Sequence, residues 1–267
     1  MSILAFALFY LVIFLIASVF SALGQGGGVL YTPVQLFFGI EFHAAAATSL
    51  FLIMVTSLSA TLVFRKAAMV DWPLAIALES STTSGAFLGG LFSGHFSGKT
   101  LIYLFSGVIA IAAFFMVKRF DMQNRCSDNP SGFFNWRRGV GVETYCVNMG
   151  IALPVTLVVG FISGLIGVSG GILKVPMLVL LFGVPMNIAV GSSAFMVGLT
   201  ASGGFLGHLA AGHLDWKIAL ALIPGIFLGG QIGARASVKV DKAKMKLFFG
   251  YFLAVLAVFL FIRTALH

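Results

Sequence analysis

Charge is what this chain has least of. Asp, Glu, Lys and Arg make up 9% of its 267 residues, where a soluble domain carries about a quarter. That is too little polar material to cover a water-facing surface. With 60% hydrophobic residues and a mean hydropathy of +1.07, the chain reads as an integral membrane protein. Acidic residues are the scarcer sign, 8 against 16 basic. The basic excess collects at Arg65–Lys66, from Lys118 to Arg138 and from Arg235 to Lys246. Lysine and arginine accumulate in cytoplasmic loops, so the charge is read as topogenic and no nucleic-acid partner is expected. Cysteine occurs only at Cys126 and Cys146, without metal-ligand spacing. A cytoplasmic loop would keep both as free thiols. Nothing resembles a metal or cofactor motif, so neither group is expected. The alternating ten-residue pattern of an outer-membrane barrel is also missing. The first apolar run, Ile3 to Leu23, has no basic leader and reads as a retained helix, not a cleaved signal peptide.

What the chain does have is glycine, and in a repeated arrangement. "GQGGGVLYTP" (Gly24 to Pro33) returns as "GVSGGILKVP" (Gly167 to Pro176) at an offset of 143, with Gly24, Gly27, Gly28, Leu30 and Pro33 over Gly167, Gly170, Gly171, Leu173 and Pro176. After a slip to 144, nine of the 34 positions from Gly39 to Trp72 are identical to their partners, among them Ser49/Ser193, Phe51/Phe195, Thr56/Thr200, Asp71/Asp215 and Trp72/Trp216. Gly85/Gly229 and Gly89/Gly233 continue the register. The chain is duplicated.

Ten hydrophobic segments follow: roughly 2–23, 27–39, 43–64, 73–93 and 100–118, then 147–166, 170–183, 187–210, 216–235 and 246–266. The second and seventh are too short to cross about 30 Å of hydrocarbon as straight helices. If all ten cross, the basic loops 65–72, 119–146 and 236–246 lie together on the cytoplasmic side. Five segments per half then give an inverted-topology repeat. The fold expected is an all-α polytopic membrane protein: a first repeat over 1–118, a polar basic linker over 119–146 and a second repeat over 147–267. The alternative is eight spans in two parallel four-span halves, which puts one basic loop on the wrong side. The location expected is the bacterial inner (cell) membrane. The sequence leaves the oligomeric state open, a homodimer included.

Paired short or glycine-interrupted segments at matching positions point to a transporter's substrate site. Broken backbone is tolerated at membrane depth only where it lines a cavity or is buried in protein, and glycines let an anion approach unpaired N–H groups. The candidate substrate residues are Gly26, Gly27, Gly28, Ser169, Gly170 and Gly171, with the hydroxyl pairs Thr48–Ser49 and Ser192–Ser193. Lys174 could add a cation or snorkel to the interface; the hydroxyls could instead bond to their own helices, and the glycines could serve tight packing. Glu79, an intramembrane carboxylate, is the candidate for ion coupling. Ile223 stands at the aligned position, so that role would be asymmetric. Asp71 and Asp215 read as helix N-caps. His43 and His208 are weaker candidates for a relay. The linker 119–146 carries no assigned chemistry.

On these residues the chain resembles the TauE/SafE family, the sulfite exporters and toluene-sulfonate uptake permeases. The likeness rests on "GQGGGVLYTP", "AAAATSLF", "GLIGVSGGILKVPMLV", "GVPMNIAVGSSAF" and "GHLDW" and runs through nearly the whole chain. It implies secondary transport of small sulfur-containing oxyanions such as sulfite or organosulfonates, in either direction; the mechanism expected from the paired breaks is alternating access around an anion site at the repeat interface, linked to a proton or sodium ion. The first-half motif is the looser copy, with Gln25–Gly26 where the family often has a small or acidic residue. A passive anion channel is the nearer alternative. A rhomboid-like intramembrane serine protease, suggested by G-x-S-G at Gly167 to Gly170 with His208 as base, is remote because Gly26 replaces the serine in the other copy. An enzyme is not expected.

Overall fold

The computed structural model describes residues 3–26, 28–40, 42–92, 134–141, 143–166, 171–210 and 216–266, with isolated positions between 107 and 117. The fifth expected segment and most of the linker therefore lie outside the described residues. The described helices are α1 (Ile3–Ala22), α2 (Gly28–Phe37), α3 (Phe42–Lys66), α4 (Trp72–Phe92), α5 (Met149–Ile166), α6 (Gly171–Pro176), α7 (Met186–Ala210), α8 (Trp216–Lys239) and α9 (Lys242–Leu266). Three are long and apolar enough to cross a membrane over Leu4–Ala22, Ala47–Lys66 and Trp216–Lys239. They carry outward-facing Leu4, Leu8, Leu228 and Ile232, the surface that lipid solvates.

Both short segments are short helices. The ten residues of α2 span about 15 Å, half of a bilayer core. In α6, Pro176 has no N–H to return to the preceding turn. Beyond it the chain widens into a π-helical turn, Met177–Leu181, with Phe182 N–H donating to Met177 O at 3.3 Å. Each short segment stops at an aligned glycine, Gly39 or Gly183, in the left-handed conformation that ends helices.

The linker corrects an expectation. Residues 135–148 form an antiparallel hairpin of β1 (Asn135–Val140) and β2 (Glu143–Asn148), with Arg138 opposite Tyr145. Local strand pairing satisfies the backbone of a polar segment that the sequence presented only as a loop. Cys146 on β2 is disulfide-bonded, where two free thiols were expected; the chain's other cysteine, Cys126, lies outside the described residues. The third basic loop shrinks to a turn, because helix resumes at Lys242 with Asp241 Oδ1 accepting from the N–H groups of Ala243 and Lys244 at 2.9 and 3.2 Å.

The chain forms two compact units, each drawing helices from both sequence halves: Met1–Val70 with Val190–Lys239, and Asp71–Ala189 with Val240–His267. The first unit's core joins Phe9, Ile13 and Ala17 of α1 to Tyr31 of α2, Leu52 and Ile53 of α3, Val197 and Ala201 of α7, and Leu222 and Ile226 of α8. The main helix pairing in this unit is α1 with α8; in the second unit it is α4 with α5. These pairings are equivalent under the duplication. Gly229 of α8 lies against the Phe14 carbonyl of α1, and Gly85 of α4 lies against the Leu157 carbonyl of α5. Gly85 and Gly229 are aligned, and so are Phe14 and Leu157. In both crossings a missing Cβ lets two backbones touch, the small-residue packing typical of membrane helices.

Candidate functional site

In the second unit, Lys174 and Glu79 form a salt bridge. Lys174 Nζ donates to Glu79 Oε2 at 2.8 Å, and the two side chains are 0% and 1% exposed. Glu79 projects from the second turn of α4 and Lys174 from the first turn of α6, so 95 residues separate the partners. Thr83, one turn along α4, donates to Glu79 Oε1 at 3.3 Å. Complete burial overturns the snorkelling alternative for Lys174. Each residue stands out in the sequence as a charge in an apolar run, but nothing in the sequence joins the two.

In the first unit the glycine break follows α1. Gln25 N–H donates to Phe20 O at 2.9 Å, turning the chain, and Gly24 and Gly26 take φ of +71° and +68°. A Cβ at Gly24 would strike the Val190 carbonyl, and one at Gly26 would lie 2.8 Å from Ser57 Oγ. Close packing thus accounts for glycine at both positions. Ser193 Oγ donates to Gly24 O at 2.9 Å, so one of the predicted hydroxyls binds the break itself and not its own helix. Its aligned partner Ser49 accepts from Gln35 Nε2 at 2.7 Å and Thr32 Oγ1 at 2.8 Å. Ser192 and Thr48 are buried. Among the described residues, the Thr48 hydroxyl and both polar atoms of the buried Gln25 carboxamide have no hydrogen-bond partner. Gln25 was not among the expected ligands; a polar, uncharged residue inside a glycine break was the available signal.

A cavity of about 400 Å³ lies in the same unit, lined by Phe51, Met54, Val55, Ser57, Leu58 and Thr61 of α3 and by Phe195, Gly198, Leu199 and Ser202 of α7. Eight of its wall positions form four aligned pairs: Phe51/Phe195, Met54/Gly198, Val55/Leu199 and Leu58/Ser202. Equivalent faces of the two halves therefore line it. The Ser57 and Thr61 hydroxyls are buried without a partner among the described residues.

Of the remaining predicted residues, Gly28 opens α2 and Gly171 opens α6 in the second unit. Gly27, Ser169, Gly170 and Asp215, and the side chains of His43 and His208, lie outside the described residues. Among the described residues no group of His, Cys, Asp and Glu is arranged to hold a metal ion.

Asp71 caps α4, with Leu74 N–H donating to Oδ1 at 3.1 Å. It is also clasped by the hairpin. Arg138 binds both carboxylate oxygens, Nε to Oδ2 at 2.9 Å and Nη2 to Oδ1 at 2.6 Å, and Tyr145 OH donates to Oδ2 at 2.7 Å. Burial by itself would raise the Asp71 pKa, but the bonds from Arg138, Tyr145 and Leu74 and the guanidinium charge hold it below the ordinary carboxylate value. Burial and then the bond to Asp71 raise the Tyr145 phenol. The clasp fastens the hairpin to the start of α4.

Comparison with known proteins follows the same lines. A family described as "Sulfite exporter TauE/SafE" matches residues 9–260. The chain is 30% identical over 230 residues to the probable membrane transporter protein YunE of Bacillus subtilis, covering 83% of this chain and 84% of that one. It is 27% identical to a probable membrane transporter protein of Xylella fastidiosa, over 90% of this chain and 88% of the relative. A probable membrane transporter protein of Methanocaldococcus jannaschii is 24% identical, with 92% of each chain covered. No solved structure matches.

Proposed function

The chain belongs to the sulfite exporter TauE/SafE family, and from that premise we propose that this integral, multi-pass membrane protein is a secondary transporter of small sulfur-containing oxyanions, sulfite or organosulfonates, working by alternating access. It is a transporter and not an enzyme, as its relatives' names also have it. The observation that carries the anion reading is Lys174: a fully buried cation three residues into the helix that follows a glycine break. Buried ionisable residues within membrane segments mark substrate and ion pathways.

In this reading Lys174 supplies the charge for the anion and Glu79 the coupling group. The first unit's neutral groups for the anion are Gly26 to Gly28, Thr48–Ser49 and Ser192, joined by Gln25, with Ser193 holding the break through its bond to Gly24 O; the second unit's are Ser169 to Gly171. The cavity walled by aligned residues of α3 and α7 supports a substrate path between inverted halves, since such transporters bind substrate at the repeat interface. The coupling ion is a proton or sodium, and the basic turns face the cytoplasm.

The test is uptake of labelled sulfite, thiosulfate, sulfate and a set of sulfonates by liposomes containing the purified protein. Saturable flux of one or more sulfur oxyanions, lost in Lys174→Met, is the expected result. Flux that never saturates would favour a channel. No flux of any of these anions would remove the substrate class.

A further inference from the structure

The ion pair poses a problem for anion binding, and its solution fixes what must travel with the substrate. Lys174 is already neutralised. Its neighbours in sequence, Leu173 and Val175, are buried, as are Ala75 and Leu78 on the turn of α4 before Glu79. Glu79 is the one ionisable residue of α4, and Lys174 the one of α6. The α5 helix, which packs along α4, contributes none. No other charge from these elements can balance an anion brought to Lys174. With Glu79 still ionised, the arriving anion would leave one uncompensated negative charge in a low-dielectric place, a costly arrangement. If the carboxyl first takes a proton, it releases the ammonium and the site stays neutral.

We propose that the substrate anion replaces the Glu79 carboxylate on Lys174 while Glu79 is protonated. Each monovalent anion then moves together with one proton and no net charge. This deepens the transporter reading above and rests on it. The empty site is Lys⁺ with Glu⁻; the loaded site is Lys⁺ with the anion and neutral GluH. Both states are neutral, so both cross the conformational change without a buried net charge. The same balance selects for substrate ionisation. A sulfonate or hydrogensulfite, with one negative charge, satisfies it. A dianion such as sulfate leaves a charge over even when Glu79 is protonated, so it is disfavoured.

The experiment uses the wild-type protein in liposomes, with methanesulfonate as monovalent probe and sulfate as dianionic probe. Membrane potential is clamped with potassium and valinomycin, and proton movement is read from an internal pH dye. The expected result is one proton entering with each methanesulfonate, an initial rate that does not change with the imposed potential, and loss of uptake when sulfate is the probe. Methanesulfonate flux that follows the potential, or that moves no proton, overturns the proposal and leaves the transporter reading standing. Absence of flux for every sulfur oxyanion overturns both. As a second arm, Glu79→Gln, verified as folded by its elution and melting, should lose proton movement and pH-driven accumulation. A folded Glu79→Gln that still accumulates methanesulfonate under a pH gradient also overturns the proposal.

Discussion

Tyr31 and Lys174 are equivalent residues of the duplicated chain, each three residues beyond an aligned glycine, and both are fully buried. Their partners differ. The Tyr31 hydroxyl pairs with Thr56 Oγ1 at 2.9 Å, while the Lys174 ammonium pairs with Glu79 at 2.8 Å. Thr56 passes its own proton to Leu52 O, so the phenol is the donor. One half thus offers a neutral donor where the other offers a charge. The duplication built two similar breaks, and sequence divergence made only one of them ionic.

Breaking that pair from one side should be severe. Lys174→Met leaves Glu79 buried and uncompensated, a change that typically costs about 3–5 kcal/mol. The double variant Lys174→Met/Glu79→Leu should recover most of the lost stability, because an apolar pair of similar volume often substitutes well. It should still fail to transport. Melting temperature in detergent, read beside flux, checks both statements; a transporting double variant would contradict the role given to Lys174.

Ser57 and Thr61 give a converse test at the cavity. Their hydroxyls are buried and unpartnered among the described residues, so removing them should cost little or even stabilise the fold. Ser57→Ala and Thr61→Val are expected to keep the melting temperature within about a degree or two of wild type, in keeping with changes under ~0.5 kcal/mol. If the cavity carries substrate, they raise KM. Unchanged KM in both variants would take the cavity out of the path.

Gly24→Ala should destabilise. The new Cβ would meet the Val190 carbonyl, and the residue is held at φ +71°. Left-handed strain and overpacking each cost on the order of 1–3 kcal/mol. Gly85→Ala and Gly229→Ala should both destabilise, Gly85→Ala the more, because its Cβ would run deeper into the Leu157 carbonyl than that of Gly229 into the Phe14 carbonyl at 2.8 Å. Melting temperatures unchanged in both would argue against the close helix approach at these crossings.

The clasp at Asp71 should be sensitive to acid. The carboxyl's folded value lies below its unfolded one, so its contribution is fully present above the ordinary carboxylate value of about 3.9. It is lost as pH falls through the lowered folded value. Below about pH 4 the hairpin should loosen from α4, seen as faster hydrogen exchange over residues 135–148. Asp71→Asn should show that looseness at neutral pH and lose its pH dependence.

Charge count and cysteine chemistry pull the hairpin in opposite directions. The basic excess assigns it to the cytoplasm, whereas disulfides persist mainly on oxidising faces, and Cys146 is bonded. The expected outcome follows the charge: in intact cells, an impermeant reductant and impermeant maleimide leave Cys146 unlabelled, while permeant reagents label it. Labelling by the impermeant pair would turn the assigned orientation over.

The helices were legible because long apolar runs end abruptly at Gly, Asp-Trp and basic residues. The duplication was legible because Gly-Gly…Pro and Asp-Trp recur at nearly one offset. Asp71 was recognisable as a cap from its place before Trp72. Its hold on Arg138 and Tyr145 was not, since nothing in the spacing of residues 67 and 74 positions apart encodes a contact. The same holds for Glu79 and Lys174. Each stood out as a charge in apolar surroundings, but pairing belongs to the tertiary fold. The hairpin was hidden for another reason: "NWRRGV" and "ETYCVN" are short and polar, and their strand character comes from pairing with each other.

Coupled transport is tested by accumulation. Liposomes containing the purified protein, given labelled sulfite or methanesulfonate at equal concentration on both sides, are placed in an inward proton gradient. The internal anion is expected to rise above the external concentration, to return to equality when the gradient is collapsed, and to do neither in Lys174→Met. Wild-type protein that only equalises the anion across the membrane would contradict coupled transport and leave a passive pore in its place.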